Sequence, residues 1–338
     1  MGGTIIDVFN SKAFDALELS TAINNVPNKY GIVGSLGLFR EEGITTRSVS
    51  VEFNNRTLKL LTSKPVGSPG DLNKSGLRQL KNFNVPHFPF EDVLLAEDIQ
   101  NKRQFGSANQ LEDAMWVLNK KLTEMKDSHD QTLEWMRLGC LKGSITDGAG
   151  NVILAPYTDF GISQTSIGFA LTTSSTNVLG KCLAVKRAIE VALLGSSMSY
   201  VQCLCDPNFY DALTSHANVK AAFANWNAQQ NNFTDYRRTG FTFGGVVFRE
   251  YNGSVPDSSG SSTKMLADDT ALFFPMGSDV FVNYFAPADF METVNTAGIP
   301  VYAKQEPMDF NRGLKIHTQS NPLPLCLKPA VVVAGTTV

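Results

Sequence analysis

The stretch FGSANQLEDAMWVLNKKLTEMKDSHDQTLEWMRLGCLKG, Phe105 to Gly143, decides how this chain is read. It holds no proline, and after Gly106 no glycine until Gly139, so nothing interrupts a helix along it. Ser107 and Gln110 form an S-x-x-Q capping box, and Gly143 follows Lys142 as a C-cap with a cation beside the negative end of the helix dipole. The helix predicted over residues 108–142 would be roughly 50 Å long, against a usual length of about a dozen residues. Leu111, Met115, Leu118, Leu122, Met125, His129, Leu133, Met136 and Cys140 recur at spacings of three and four, one continuous apolar face. Glu112, Asp113, Lys120, Lys121, Glu124, Lys126, Asp127 and Asp130 are expected on the solvated side. A coiled coil would need a second matching heptad segment, which the chain lacks, so the stripe is expected to lie along a sheet.

Upstream, turn signals at Asn24-Asn25, Pro27-Asn28, Gly31, Gly34 and Gly37 predict an extended arm that packs on something else. ITTRSVSVEF (Ile44 to Phe53) alternates Val49, Val51 and Phe53 with polar residues, and Asn54-Asn55 turns it into RTLKLLT, a second strand. SKPVGSPGDLNKSG (Ser63 to Gly76) is polar and rich in Gly and Pro, hence a long exposed loop. LRQLKNFNVPHFPF returns as a strand ended by Pro86 and Pro89. Such a hairpin with no local core is marginal by itself in water and makes sense lying on another molecule.

Downstream of Gly143 come a glycine-turned hairpin (SITDGAGNVILAPYTDFG), a helix from about Asn177 to Leu194, and a strand from Ser199 to Cys205. The Asp206-Pro207 turn opens a second helix, PNFYDALTSHANVKAAF. FTFGGVVFREYN and MLADDTALFFP read as strands around the flexible loop SVPDSSGSSTK, and the tail FNRGLKIHTQSNPLPLCLKPAVVVA as extended chain. Strands mixed with helices make the class α+β.

Composition narrows the function. With 338 residues, 43% hydrophobic and 18% charged, the chain can build a real core. A net charge of −3 argues against gripping nucleic acid over the whole surface. No apolar run approaches the ~18 residues of a membrane span. The start, MGGTIIDVFNSKAFDA, lacks a basic n-region, and Ile6 breaks the myristoylation pattern, so a soluble cytosolic product is expected. Cys140, Cys182, Cys203, Cys205 and Cys326 have no framework spacing and read as reduced core thiols.

Motifs that carry chemistry are missing. There is no G-x-S-x-G, no G-x-x-x-x-G-K-[ST] and no H-E-x-x-H. Gly31, Gly34 and Gly37 are not framed by a strand-then-helix unit. Cys203 and Cys205 share a strand face but no second ligand pair accompanies them. His87, His129, His216 and His317 stand far apart, and Arg40-Glu41-Glu42 and Asp268-Asp269 read as solvated or contact charges. No catalytic, cofactor-binding or metal residue is assigned, and no cofactor is expected. A hydrolase using His129 or His216 is the rival from another class.

Five blocks carry a resemblance along nearly the whole chain: NVPNKYGIVGSLGLFREEGITTRSVSVE (Asn25 to Glu52), NVPHFPFEDVLLAEDIQNKRQFGSANQLE (Asn84 to Glu112), LGCLKGSITDGAGNVI (Leu138 to Ile153), CDPNFYDAL (Cys205 to Leu213) and PMDFNRGLKIHTQSNPLPLCLKPAVVV (Pro307 to Val333). In them the chain resembles the lambda-type phage major capsid protein (capsid protein E) family. The resemblance implies the Hong Kong 97-like viral capsid fold, divided into an N-terminal arm (1–43), an extended E-loop (44–90), a peripheral domain with a long spine helix (91–173), an axial domain (174–298) and C-terminal strands returning to the peripheral domain (299–338). It implies a shell protein of a tailed double-stranded DNA phage or prophage, partnered by itself in hexamers and pentamers. Scaffold, portal and decoration proteins would be further partners, with double-stranded DNA enclosed without sequence-specific binding and no membrane involved. The virion is the implied location, after assembly in the host cytoplasm. An encapsulin-like compartment shell is the alternative within the same fold. The E-loop tip, Lys64, Pro65, Val66, Gly67, Ser68, Pro69 and Gly70, would contact a neighbouring subunit. Lys64, Asn73 and Lys74 could in principle crosslink, but the lambda-type resemblance implies reinforcement by a separate protein instead.

Overall fold

A computed structural model describes residues 16–25, 31–54, 78–99, 110–229, 236–256 and 260–338. The long helix is present as Gln110–Lys142, 33 residues; the capping serine at 107 lies outside the described residues. Its C-terminus closes as the sequence requires. Gly143 sits at φ 86°, and the Gly139 carbonyl accepts both the Gly143 and the Ser144 N–H (2.9 and 3.0 Å). A β-carbon at 143 would overlap the Tyr157 ring, so the cap and the packing both need glycine.

The apolar stripe is the buried face: Leu118, Leu122, Met125, Leu133, Met136 and Cys140 are all inside. The N-terminal half of the helix covers a small core made with Leu19 and Ile23 of the helix Ala16–Asn25, and with Leu94, Val301, Ala303, Leu314 and Ile316. Those last five come from a three-stranded antiparallel sheet, in order Tyr302–Pro307, Gly313–Ser320, Phe88–Leu95, and the residue that precedes it. The C-terminal half enters the main core and is buried almost all round. The solvated side therefore differs from expectation. Lys126 and Asp130 are buried and paired at 2.9 Å, and Lys121 reaches the Asp92 carboxylate at 2.9 Å. Neighbours on several sides leave this helix too little open perimeter to keep every charge wet.

The strand Phe88–Leu95 runs through Pro89 instead of ending there. It is the edge strand of its sheet, where a residue without an N–H removes no ladder bond on the open side. A six-stranded mixed sheet forms the other centre, in order Ser166–Gly168, Val333–Thr336, Thr270–Met276, Tyr200–Cys205, Val246–Glu250, Phe241–Phe243. Its middle strands are nearly continuously buried, as expected for strands covered on both faces. The helix Val178–Leu193, capped by the Asn177 side chain on Gly180 N–H, buries Cys182, Val185 and Ile189 in that core. The expected second helix is broken at His216 into Pro207–Ser215 and Ala217–Gln229. SVPDSSGSSTK, expected as a flexible loop, carries short paired strands Ser254–Pro256 and Ser262–Lys264.

A third sheet pairs Arg40–Gly43, Phe281–Phe285 and Pro322–Cys326. It shares one bent ribbon with the six-stranded sheet. Thr270 to Phe273 pair with Val333 to Thr336, Leu327 N–H then donates to Val280 O at 2.8 Å, and Phe281 to Phe285 pair with Pro322 to Cys326. The chain division expected at 298 is therefore not how the strands pair. Phe281–Phe285 leaves the six-stranded sheet, and Val333–Thr336 of the tail joins it. Two strands already hydrogen-bonded to each other cross between sheets together, so each keeps a partner on both sides of the bend.

The hairpin arms Ser48–Asn54 and Arg78–Asn84 pair in full register, Ser48 with Asn84 through Asn54 with Arg78. The base of this hairpin does have a core, contrary to the sequence reading. Val49, Val51 and Phe83 belong to the main cluster, and Phe83 meets Phe160 edge-on at 5.7 Å. The tip, Lys64 to Gly70, lies outside the described residues.

Leu118→Asp should cost about 4 kcal/mol or more, because it places an unpaired carboxylate in the small core. Ser128→Ala, on the exposed side, should stay within about 0.5 kcal/mol of the parent. Urea unfolding of both variants tests this, and similar midpoints would show that the stripe is not the face that holds the helix.

Candidate functional site

Among the described residues no group of three or more His, Cys, Asp or Glu is placed to hold a metal ion. All five cysteines are free and buried. Burial pushes the Cys182 and Cys326 thiols up to about 12 and Cys203 well above its usual value, so these are protonated core groups. His129 Nε2 lies 2.9 Å from Thr318 Oγ1, but Thr318 is fully buried and its hydroxyl also donates to Phe90 O at 3.3 Å. Burial first, then repulsion from His317 and Lys126, holds the His129 imidazole down to about 4. His216 is a structural hinge. Its Nδ1 accepts Asn218 N–H (3.2 Å) while Nε2–H donates to Thr173 O (3.0 Å), capping the second of the two helices. Both histidines are buried, His129 6% and His216 4% exposed.

What the fold does bring together is a clamp built on Glu134. The short helix Ile32–Ser35 turns its free N-terminal donors toward the long helix: Val33 N–H donates to Glu134 Oε1 at 2.8 Å and Gly34 N–H to Oε2 at 3.0 Å. Tyr251, just past the strand Val246–Glu250 of the six-stranded sheet, donates its O–H to Oε1 at 3.2 Å. One carboxylate that is 3% exposed thus ties the N-terminal segment, the long helix and the six-stranded sheet. Gly31, at φ 105°, permits the approach, since a β-carbon there would strike the carboxyl group. One turn along, Arg137 places Nη2 2.9 Å from Glu41 Oε1 and its guanidinium 5.9 Å from the Phe39 ring centre, binding the strand Arg40–Gly43 to the same helix. Burial raises the Glu134 carboxyl above its ordinary value, opposed by the two backbone N–H groups, Arg137 and Tyr251. A cleft of about 680 Å³ opens beside the clamp, lined by Arg237, Arg238, Arg249 and Glu250 as well as Glu134 and Tyr251. The arrangement is suited to holding three parts of a chain in one relation. Sequence reasoning missed it, although Glu134 and Arg137 stand in LEWMRLGCL, two charges inside an otherwise apolar run.

The sequence matches the family described as phage major capsid protein E over residues 15–337. A major capsid protein of Pseudomonas phage KPP10 is 28% identical, covering 95% of this chain and 96% of the relative. A major capsid protein of Salmonella phage Felix O1 is 25% identical, with 95% of each chain covered. Among solved structures, a prophage protein from Escherichia coli CFT073 solved as a candidate capsid protein aligns with a TM-score of 0.63 at 14% identity, covering 97% of this chain and 100% of that one. The mature capsid subunit of bacteriophage PhiM1 aligns at 0.51 with 12% identity, covering 88% and 84%. These last two bear on the fold alone.

Glu134→Ala should destabilise by about 3 kcal/mol, because it strands the buried Val33 N–H and takes the carboxylate partner from the Gly34 N–H and the Tyr251 phenol. Tyr251→Phe removes one donor with its need and should cost about 1 kcal/mol. Chemical denaturation of the two measures the difference, and equal losses would mean that the N-terminal segment adds nothing to the clamp. A pH series tests His129. Its folded pKa lies below the ordinary 6.5, so its contribution is complete above about 6.5 and is lost as the pH falls toward 4, up to about 3 kcal/mol. His129→Gln should flatten that slope, and an unchanged slope would assign it to other groups.

Proposed function

The chain belongs to the phage major capsid protein E family, and on that premise we propose that it is the head protein of a tailed double-stranded DNA phage or prophage, whose copies close as hexamers and pentamers into an icosahedral shell around the genome. The observation that carries this is the match to that family along residues 15–337. The surface agrees with it. Val191 on the helix Val178–Leu193, Met291 and Phe310 are strongly exposed, the kind of apolar surface that copies of a shell protein cover on one another. The role proposed is structural.

Within that reading, residues 44–90 form the loop laid over a neighbouring subunit, with Lys64 to Gly70 as its contact. The three-stranded sheets with the long helix form the peripheral part, and the six-stranded sheet the axial part. Rings of copies close by head-to-tail contacts. Scaffold, portal and decoration proteins are the proposed further partners. A net charge of −3 suits a wall that encloses DNA without gripping it, and assembly is proposed to occur in the host cytoplasm before the virion leaves.

The hairpin base is seated on Phe160 through Phe83, so shortening the tip should spare the fold. Deleting Pro65 to Gly70 should therefore leave circular dichroism and the unfolding midpoint unchanged while closed particles fall at least tenfold by sedimentation and negative-stain microscopy. Normal shells from the deletion would reject the tip as a contact. Wild-type protein that yields only small oligomers, with and without a scaffold, would reject the shell itself.

A further inference from the structure

The hairpin that joins Tyr302–Pro307 to Gly313–Ser320 is built around an unusual residue choice. Its turn is fixed by Met308 N–H donating to Gly313 O and Asn311 N–H donating to Met308 O, both at 2.9 Å. Two successive residues must then be left-handed, Phe310 at φ 59° and Asn311 at φ 54°. Asparagine tolerates that region; a phenylalanine there costs about 1 kcal/mol relative to a residue that suits the turn. Nor does the phenyl group gain burial inside its own subunit. It is 89% exposed, with the Arg312 guanidinium 5.5 Å from its ring centre. Turn geometry and core packing both argue against Phe at 310, so its use lies outside the subunit.

The same sheet carries a second exposed apolar feature. In the loop at residues 287–298, Met291 is 87% and Val294 60% exposed. This loop is held rigid from within. Thr293 Oγ1 donates to Ala288 O and Phe290 O (2.9 and 3.0 Å), Thr296 Oγ1 donates to Thr293 O (2.8 Å), and Glu292 pairs with Lys304 at 2.7 Å. Phe290 anchors it on the sheet, with its ring 5.7 Å from that of His317 and beneath the Lys304 ammonium at 5.2 Å. The Met291 thioether and Val294 methyls are thus presented in a fixed place, which lowers the entropy lost on binding. Methionine is an adaptable receiver for an aromatic ring, with a favourable sulfur–aromatic contact.

We propose that Phe310 of one copy docks on Met291 and Val294 of the next. This rests on the shell-building reading above and names a contact that such building uses. The occupant is a second copy of this chain because the chain itself supplies both halves of the fit, an aromatic knob and a rigid apolar seat. Since both are exposed in the subunit, the knob does not fill its own seat. In a closed ring this contact repeats head to tail, the knob of each copy on the seat of the next.

Phe310→Asn is the direct test, because it suits the left-handed turn and removes only the ring. The variant should fold with an unfolding midpoint equal to or above that of the parent, while the protein concentration at which particles appear should rise at least tenfold. Met291→Ser should raise it similarly, and the double variant should be no worse than either single one, as for two halves of one contact. Geometry is read separately by oxidising particles of Phe310→Cys/Met291→Cys. The native cysteines are buried, so wild-type protein is the blank, and a ladder of covalent multimers is expected. Particles forming at the wild-type concentration from Phe310→Asn would overturn the proposal. So would intact double-cysteine particles that give no ladder. If wild-type protein forms no particles under any condition, the shell-building reading falls and this contact with it.

Discussion

The long helix runs into the main core carrying two charged side chains, and the rest of the chain is arranged around the need to satisfy them. An ionised carboxylate out of reach of water is tolerable only when its lone pairs meet donors. Glu134 meets two backbone N–H groups at the start of Ile32–Ser35 and the Tyr251 phenol, and Arg137 meets Glu41. The need is mutual, because the first N–H groups of any helix lack partners within it. The N-terminal segment is therefore held at one place on the body by polar groups that would each be unsatisfied elsewhere. Apolar contacts alone would allow it to slide.

The paired ribbon that passes from the six-stranded sheet into the sheet of Arg40–Gly43 acts on a larger scale. Since Thr270–Met276 runs on into Phe281–Phe285 alongside Pro322–Cys326 and Val333–Thr336, one two-stranded ribbon joins the two sheets, tied at the bend by Leu327 N–H on Val280 O. The long helix spans from the small core to the main one, so it links the sheet of Phe88–Leu95 to both.

Its surface is consistent with life among copies. Apolar residues stand exposed on the Val178–Leu193 helix, at the Met291 loop and at Phe310, while the core needs none of them. The rigidity of the Thr293 loop and the fixed turn at Phe310 present that surface in advance, so little order remains to be gained on association.

Much of this was legible in the sequence. The three-and-four spacing set the long helix and its buried face, Gly143 its end, Asn177 and Asp206 the starts of two others, and alternation at Val49 and Val51 a strand, though not its partner Arg78–Asn84; each is a local signal that depends on a few neighbouring residues. Family resemblance was legible too, since long co-linear blocks need no knowledge of contacts. The Glu134 clamp was not, because its partners are about one hundred residues upstream and, at Tyr251, over one hundred downstream. Nor were the buried Lys126–Asp130 pair, the passage of a strand through Pro89, or the transfer of Val333–Thr336 to the six-stranded sheet. By itself the sequence determined the long helix, its apolar face and the helix ends at Gly143, Asn177 and Asp206, because period and capping are properties of neighbouring residues. Tertiary structure alone decided which strands share a sheet and which charges lose water, because both depend on what long-range packing sets beside them.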